Sequence, residues 1–119
     1  MTHYVSQNFS MFSGDDKLLR VTITDANNGD LPFNLTGTTS TIWKAGRTSS
    51  SAVKVTKTLG SGITITDAVN GILEITLTPA DTAALQGDYY HELQIVDASG
   101  KKRTVLAGTA SIDDDLVED

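Results

Sequence analysis

Alternation between apolar and polar residues organises this chain. In LLRVTITD (18–25) Leu19, Val21 and Ile23 fall on one face, with Arg20, Thr22 and Thr24 on the other. That period of two marks a strand with one face buried. AVKVTKTL (52–59) sets Val53 and Val55 against Lys54 and Thr56, and ITIT (63–66) offers Ile63 and Ile65. ILEITLT (72–78) turns Leu73, Ile75 and Leu77 inward, leaving Glu74 and Thr76 outside. YYHELQIV (89–96) puts Tyr89, His91, Leu93 and Ile95 on one face and Tyr90, Glu92, Gln94 and Val96 on the other. VLAGTASI (105–112) closes the series, with Leu106, Gly108, Ala110 and Ile112 inward. The runs end in DANNGD, DAVNG and DASG, whose Asp, Asn and Gly cap turns locally or accept positive φ. Short strands spaced this regularly by turns predict an all-β antiparallel sandwich of about seven to eight strands.

One stretch breaks the alternation. In TPADTAALQGDYYHEL (78–93) Thr78 suits an N-cap and Pro79 the first helical position, and Asp81 can reach back to the cap. Ala83, Ala84 and Leu85 continue the turn, and Gly87 can end it in the left-handed conformation. A helical turn over 79–86 is too short to form a layer of the fold. It predicts a corner that carries the chain between sheets. Tyr89 then starts the next strand facing inward, where a buried phenol needs a partner. In immunoglobulin-like sandwiches a tyrosine at this place bonds back to the corner backbone. Thr78, Pro79 and Tyr89 are thus the expected corner residues, and Tyr90, on the opposite face, is left for solvent or a partner.

Composition narrows the chemistry. The 119 residues match one domain, large enough to bury a core without cross-links. There is no cysteine, so no disulfide and no Cys-based zinc site, and only His3 and His91 to serve a His-based metal site. No cofactor is expected. The net charge of −6 opposes binding to a phosphate backbone, so no nucleic-acid partner is expected, and KKR (101–103) fits the solvated shoulder of a turn. MTHYVSQNFSMF lacks the basic and apolar regions of a signal peptide, and no apolar run approaches the roughly 20 residues of a membrane span. A soluble protein made in the cytoplasm, with no membrane partner, is expected. NFS at Asn8 and NLT at Asn34 match the glycosylation pattern by chance on this reading. GRTSSS (46–51) fits a loop tip.

Individual residues offer little reactive chemistry. His91 shares the inner register with Tyr89 and Leu93, and no motif places a nucleophile or second histidine beside it, so a hydrogen-bonded core histidine is expected. DANNGD has oxygen ligands at alternate positions, but position twelve of a calcium loop would be Thr36, so a hairpin turn is the better reading. Trp43 and Ile42 point to opposite faces, with Trp43 toward the other sheet. No nucleophile elbow, phosphate loop, HExxH or paired-carboxylate arrangement is present, and the chain is read as no enzyme. A glycan-binding module acting through Trp43, Tyr90 or His91 is a rival, disfavoured because aromatics are only 6% of the chain.

The ends carry the remaining candidates. Residues 1–11 form an N-terminal arm or first strand, in which Phe9 and Met11 alternate, and Tyr4, Phe9 and Phe12 are possible partner contacts. The acidic tail, 113–119, adds Asp113, Asp114 and Asp115. With the sandwich assigned to 12–112, at least one end is expected to be mobile in the free protein and ordered by a neighbour. Removal of residues 1–8 should then leave stability nearly unchanged.

The sequence GDD, VTITD, LPFNLTG, SGITITDAVNGILEITLTPADTAALQGDYYHELQIVDASG and TVLAGTASI, in that order, resembles the small immunoglobulin-like domains of tailed-bacteriophage structural proteins. It is similar to the family of N-terminal domains of phage baseplate upper proteins. The likeness covers roughly residues 12–112 and is most specific in ITDAVNG and LTPADTAALQGDYYHELQIVDASG. The resemblance implies a non-enzymatic virion module of the tail or baseplate, present in many copies and contacting tail, baseplate, fibre or capsid subunits. Its place is the virion, assembled in the host bacterial cytoplasm. A head decoration or fibre-attachment protein is the alternative. In the family this domain precedes a longer C-terminal region, whereas the present sequence stops soon after its last predicted strand. Contacts are therefore expected through the faces, the arm or the tail.

Overall fold

Alternating runs become strands, and the strands pair so that one sheet folds over into two facing layers. The computed structural model describes residues 5–25, 29, 31–47 and 53–114. Its elements are β1 (Val5–Ser6), β2 (Phe9–Phe12), β3 (Lys17–Thr22), β4 (Thr24–Asp25), β5 (Leu31–Pro32), β6 (Ser40–Gly46), β7 (Val53–Leu59), β8 (Gly62–Asp67), β9 (Ile72–Leu77), α1 (Pro79–Thr82), β10 (Gly87–Val96) and β11 (Lys102–Asp113). Tyr4, Asp115 and the rest of the tail, most of DANNGD and residues 48–51 of GRTSSS lie outside the described residues.

The main sheet runs β1–β11–β10–β6–β7–β8–β9–β3, with β2 also on β11, and β4–β5 form a separate ribbon. Between β7 and β8 the chain turns a corner, where Thr58 pairs with Gly62 and Leu59 with Ile63. That corner separates a layer of β11, β10, β6 and β7 from a layer of β8, β9 and β3. With β3, β6, β8, β9, β10 and β11 in the places of strands B, C, D, E, F and G, the order is immunoglobulin-like, B–E–D facing C–F–G. Leu19, Val21, Leu73, Ile75 and Leu77 from one layer meet Trp43, Leu93, Ile95, Ala110 and Ile112 from the other in one buried cluster. Each large side chain so covered contributes roughly 1.5–3 kcal/mol.

Four features depart from the sequence expectations. The sheet is not wholly antiparallel: β1 and β2 run parallel to β11, as β7 does to β8. The first two pairings join segments about a hundred residues apart, so no hairpin dictates their direction, and the third follows the two-residue corner of Gly60 and Ser61. The helical turn covers Pro79–Thr82 rather than 79–86. It stops early because Leu85 N–H bonds to the Thr82 carbonyl in a tighter turn and Gln86 N–H is taken by the Tyr89 hydroxyl. Val53 is exposed, since the β6–β7 register shifts between Ala45 and Gly46. Finally, the boundary placed at residue 12 falls inside β2, whose Met11 is part of the core.

Candidate functional site

The corner after β9 is built from short-range chemistry. Pro79 opens α1, where its missing N–H costs nothing. The Asp81 carboxylate accepts the Thr78 N–H at 2.7 Å and pairs with Lys57 Nζ at 2.8 Å, which ties the corner to β7. Burial pushes the Asp81 carboxyl up, but Lys57 and Thr78 outweigh it and hold it below the usual carboxylate range. The Thr82 hydroxyl accepts the Gly14 N–H at 2.9 Å, fastening the turn before β3. Gly87, at φ 98°, lets the chain enter β10. Tyr89 is buried, and its hydroxyl accepts the Gln86 N–H at 3.2 Å. Arg47 lies 4.3 Å over the Tyr89 ring and donates to the Gln86 carbonyl at 2.8 Å.

Two residues after the corner tyrosine, where immunoglobulin domains carry the second cysteine of their inter-sheet disulfide, stands His91. It is 1% exposed. Trp43 Nε1–H donates to His91 Nδ1 at 3.0 Å, and His91 Nε2 lies 2.7 Å from the Gln7 carbonyl. An indole N–H only donates. Nδ1 must therefore accept, the proton sits on Nε2, and the imidazole is neutral. Burial lowers its pKa, and the Gln7 carbonyl offsets part of that effect. The Phe9 ring meets the imidazole edge-on, with centroids 5.1 Å apart.

This histidine sits under the N-terminal segment, which is stitched to β11. Gln7 N–H donates to the Ala107 carbonyl at 3.0 Å, and Thr109 N–H donates to Asn8 Oδ1 at 2.8 Å. A Cβ at Gly108 would collide with the Gln7 backbone, so only glycine admits the segment here. Residues 5–12 are thus edge strands of the layer. Removing residues 1–8 strips these bonds, contrary to the expectation that the stretch is dispensable. Gln7, Asn8 and Gly108 carry no local sequence signal for this role.

The candidate contacts are scattered. Phe9 is half-buried against His91, whereas Phe12 is 52% exposed at the end of β2. Tyr90 is half-buried and donates to Glu92 Oε2 at 3.0 Å. Asp113 is exposed, and Asp114 accepts from Gln86 Nε2 at 2.9 Å. Trp43 and His91 are both buried, which removes two of the three residues of the glycan alternative from any surface a sugar could reach.

At the opposite end the turn after β10 is closed by one carboxylate. Asp97 Oδ1 accepts from Ser99 N–H at 3.0 Å, Ser99 Oγ at 2.8 Å and Lys101 N–H at 3.0 Å, and Arg103 Nε donates to Oδ2 at 2.8 Å. Arg103 foremost, then the Lys101 amide and Ser99, hold this carboxyl well below the usual range. Arg103 of the KKR cluster is therefore committed to a turn.

Among the described residues no three metal-ligating groups come together, and no helix is long and apolar enough to cross a membrane. A cavity of about 10 Å³ between Phe9, Trp43, Leu77, Tyr89 and Ile112 has room for about one water and is a packing gap. What the arrangement offers is rigid edges and faces. No protein-family model and no curated protein sequence matches the chain.

Proposed function

We propose that this chain is a non-enzymatic structural component of a bacteriophage virion, an assembly or attachment module of the tail or baseplate. The observation that carries the reading is where the resembling residues lie. ITDAVNG spans the end of β8 and its turn, and LTPADTAALQGDYYHELQIVDASG spans the corner, β10 and the Asp97 turn. These residues build strand, corner and turn, and the gap that Leu77 and Tyr89 border is no larger than a water, which suits a module that works by presenting surfaces to neighbours. The partners are other virion proteins, and the copies are multiple.

The test is to label gradient-purified particles with an antibody against the chain and view them by electron microscopy. Label on the tail or baseplate supports the reading. Label confined to the head moves the chain to the alternative, a capsid decoration or fibre-attachment protein. Particles that never take the label overturn the proposal.

A further inference from the structure

Open sheet edges invite pairing, and proteins usually blunt them with bulges, prolines, lysines or interruptions. Among the described residues four edges border the layers of this fold. The β1–β2 edge is broken between Ser6 and Phe9. The β7 edge carries Lys54 and Lys57 and faces a register shift. The β8 edge is joined to β7 at Gly62 and Ile63, and its register with β9 shifts between Ile65 and Asp67. The β3 edge runs without interruption from Lys17 to Thr22, with no Pro, Gly or bulge, and its one lysine, Lys17, stands at the start of the strand on the parity of Leu19 and Val21, outside the series 16, 18 and 20. Among the described residues no strand pairs with its outer side.

The direction of its backbone groups is fixed by one contact. Gln7 Nε2 reaches the Arg20 carbonyl at 3.5 Å, so that carbonyl points away from β9. With a period of two, the N–H and C=O of Leu18, and of Asp16 just before the strand, point the same way. Ile23, of the opposite parity, gives its N–H to Gly71, toward the β9 side. The side chains of Asp16, Leu18 and Arg20 share the outer face, all exposed, Leu18 by 55%.

The series Asp16, Leu18, Arg20 is self-complementary when read in both directions. We propose that the outer edge of β3 binds a second copy of this chain, antiparallel, about a two-fold axis through Leu18. In that register Leu18 faces Leu18 of the second copy, and Asp16 of each copy faces Arg20 of the other. Every outward N–H and C=O of residues 16, 18 and 20 finds a backbone partner, and the long, exposed Gln7 contact is replaced. An axis through Arg20 sets like charges opposite each other, and one through Leu19 leaves Asp16 without a cation across from it. Only the Leu18 axis satisfies charge, apolar surface and backbone together. The result continues the layer as β8–β9–β3 followed by β3–β9–β8, an isologous contact. It does not depend on the virion reading.

One edge pair buries less than the roughly 1,200 Å² of a stable interface, so the dimer is weak and must be sought at high concentration. Sedimentation equilibrium from roughly 20 µM to 1 mM should show a monomer–dimer equilibrium. Asp16→Arg and Arg20→Asp should each weaken it at least tenfold, and the double variant, which restores opposite charges, should recover it. Amide exchange at Leu18 and Arg20 should slow as concentration rises, while Leu19 and Val21 stay unchanged. Asp16 is exposed and precedes the strand, so Asp16→Arg decides the matter even if Arg20→Asp, which sits opposite Glu74, fails to fold. A monomer across the whole range, single variants that dimerise as the wild type does, or a double variant no better than the singles each overturns the proposal.

Discussion

Gly108→Ala places a methyl group where the Gln7 backbone now lies, and no side-chain rotation can relieve a clash with main chain. The N-terminal segment must lift. Three hydrogen bonds then go: Gln7 N–H to Ala107, Thr109 N–H to Asn8, and His91 Nε2–H to the Gln7 carbonyl. At about 1 kcal/mol each the loss is about 3 kcal/mol. Alanine stiffens the unfolded chain and returns up to about 1 kcal/mol. The net cost is about 2–3 kcal/mol, or a fall in Tm of roughly 10 °C for a domain of this size. Urea melts of wild type and variant measure it, with Asn8→Ala as a control that removes one of the three bonds and costs about 1 kcal/mol. Amide exchange should show Gln7 and Phe9 losing protection in Gly108→Ala. Wild-type stability in that variant, with Gln7 still protected, refutes the claim that this segment is an integral edge clamped over His91.

Tyr89→Phe leaves the Gln86 N–H without its acceptor and should cost about 1–3 kcal/mol, whereas Tyr90→Phe, at a half-exposed site, should cost less than 1 kcal/mol; equal losses in denaturant melts refute the corner assignment. The depressed pKa of His91 means that, below about pH 6.5, the unfolded chain binds a proton the folded chain refuses. Stability from this group is therefore full above that pH and falls on acidification, by up to about 1.4 kcal/mol per unit. His91→Gln should flatten the slope between pH 6.5 and 5, and an unchanged slope contradicts the buried neutral histidine. The depressed Asp97 carboxyl works in a lower window: its contribution is present above about pH 4 and lost as pH falls further. Asp97→Asn should lower the melting midpoint at pH 7 and weaken its dependence on pH below 4; a midpoint equal to wild type removes Asp97 as the lock of that turn.

What the sequence discloses here is what local physics decides. Alternation in LLRVTITD and ILEITLT locates buried faces because a strand repeats every two residues and only one face meets the core. The corner is legible because Thr78, Pro79, Asp81 and Gly87 act within a few residues of one another. The length of α1 is not, because its end is set by Tyr89 reaching back to Gln86 and by Gly14 arriving on Thr82 from 68 residues away. Nor is the partnership of Trp43 with His91, 48 residues apart, or of Gln7 with His91, 84 apart. The burial of His91 follows from its inner-face register, but its tautomer follows only from which groups the fold brings to each nitrogen. Parallel pairing on β11 leaves no turn between its partners to be recognised. The exposed Leu18 looks like any outward strand residue until the structure shows that, among the described residues, no strand pairs with the edge beside it.

The central claim is that this immunoglobulin-like module is built into a particle. Quantitative mass spectrometry of phage particles, purified through successive density gradients from cells expressing the chain with its phage, tests this most directly. The account predicts the chain in the particle fraction at a fixed, multiple-copy ratio to the major tail or capsid subunit, unchanged by each further gradient. A chain found only in the soluble lysate, or one whose ratio to the major subunits falls toward zero with each purification, contradicts it.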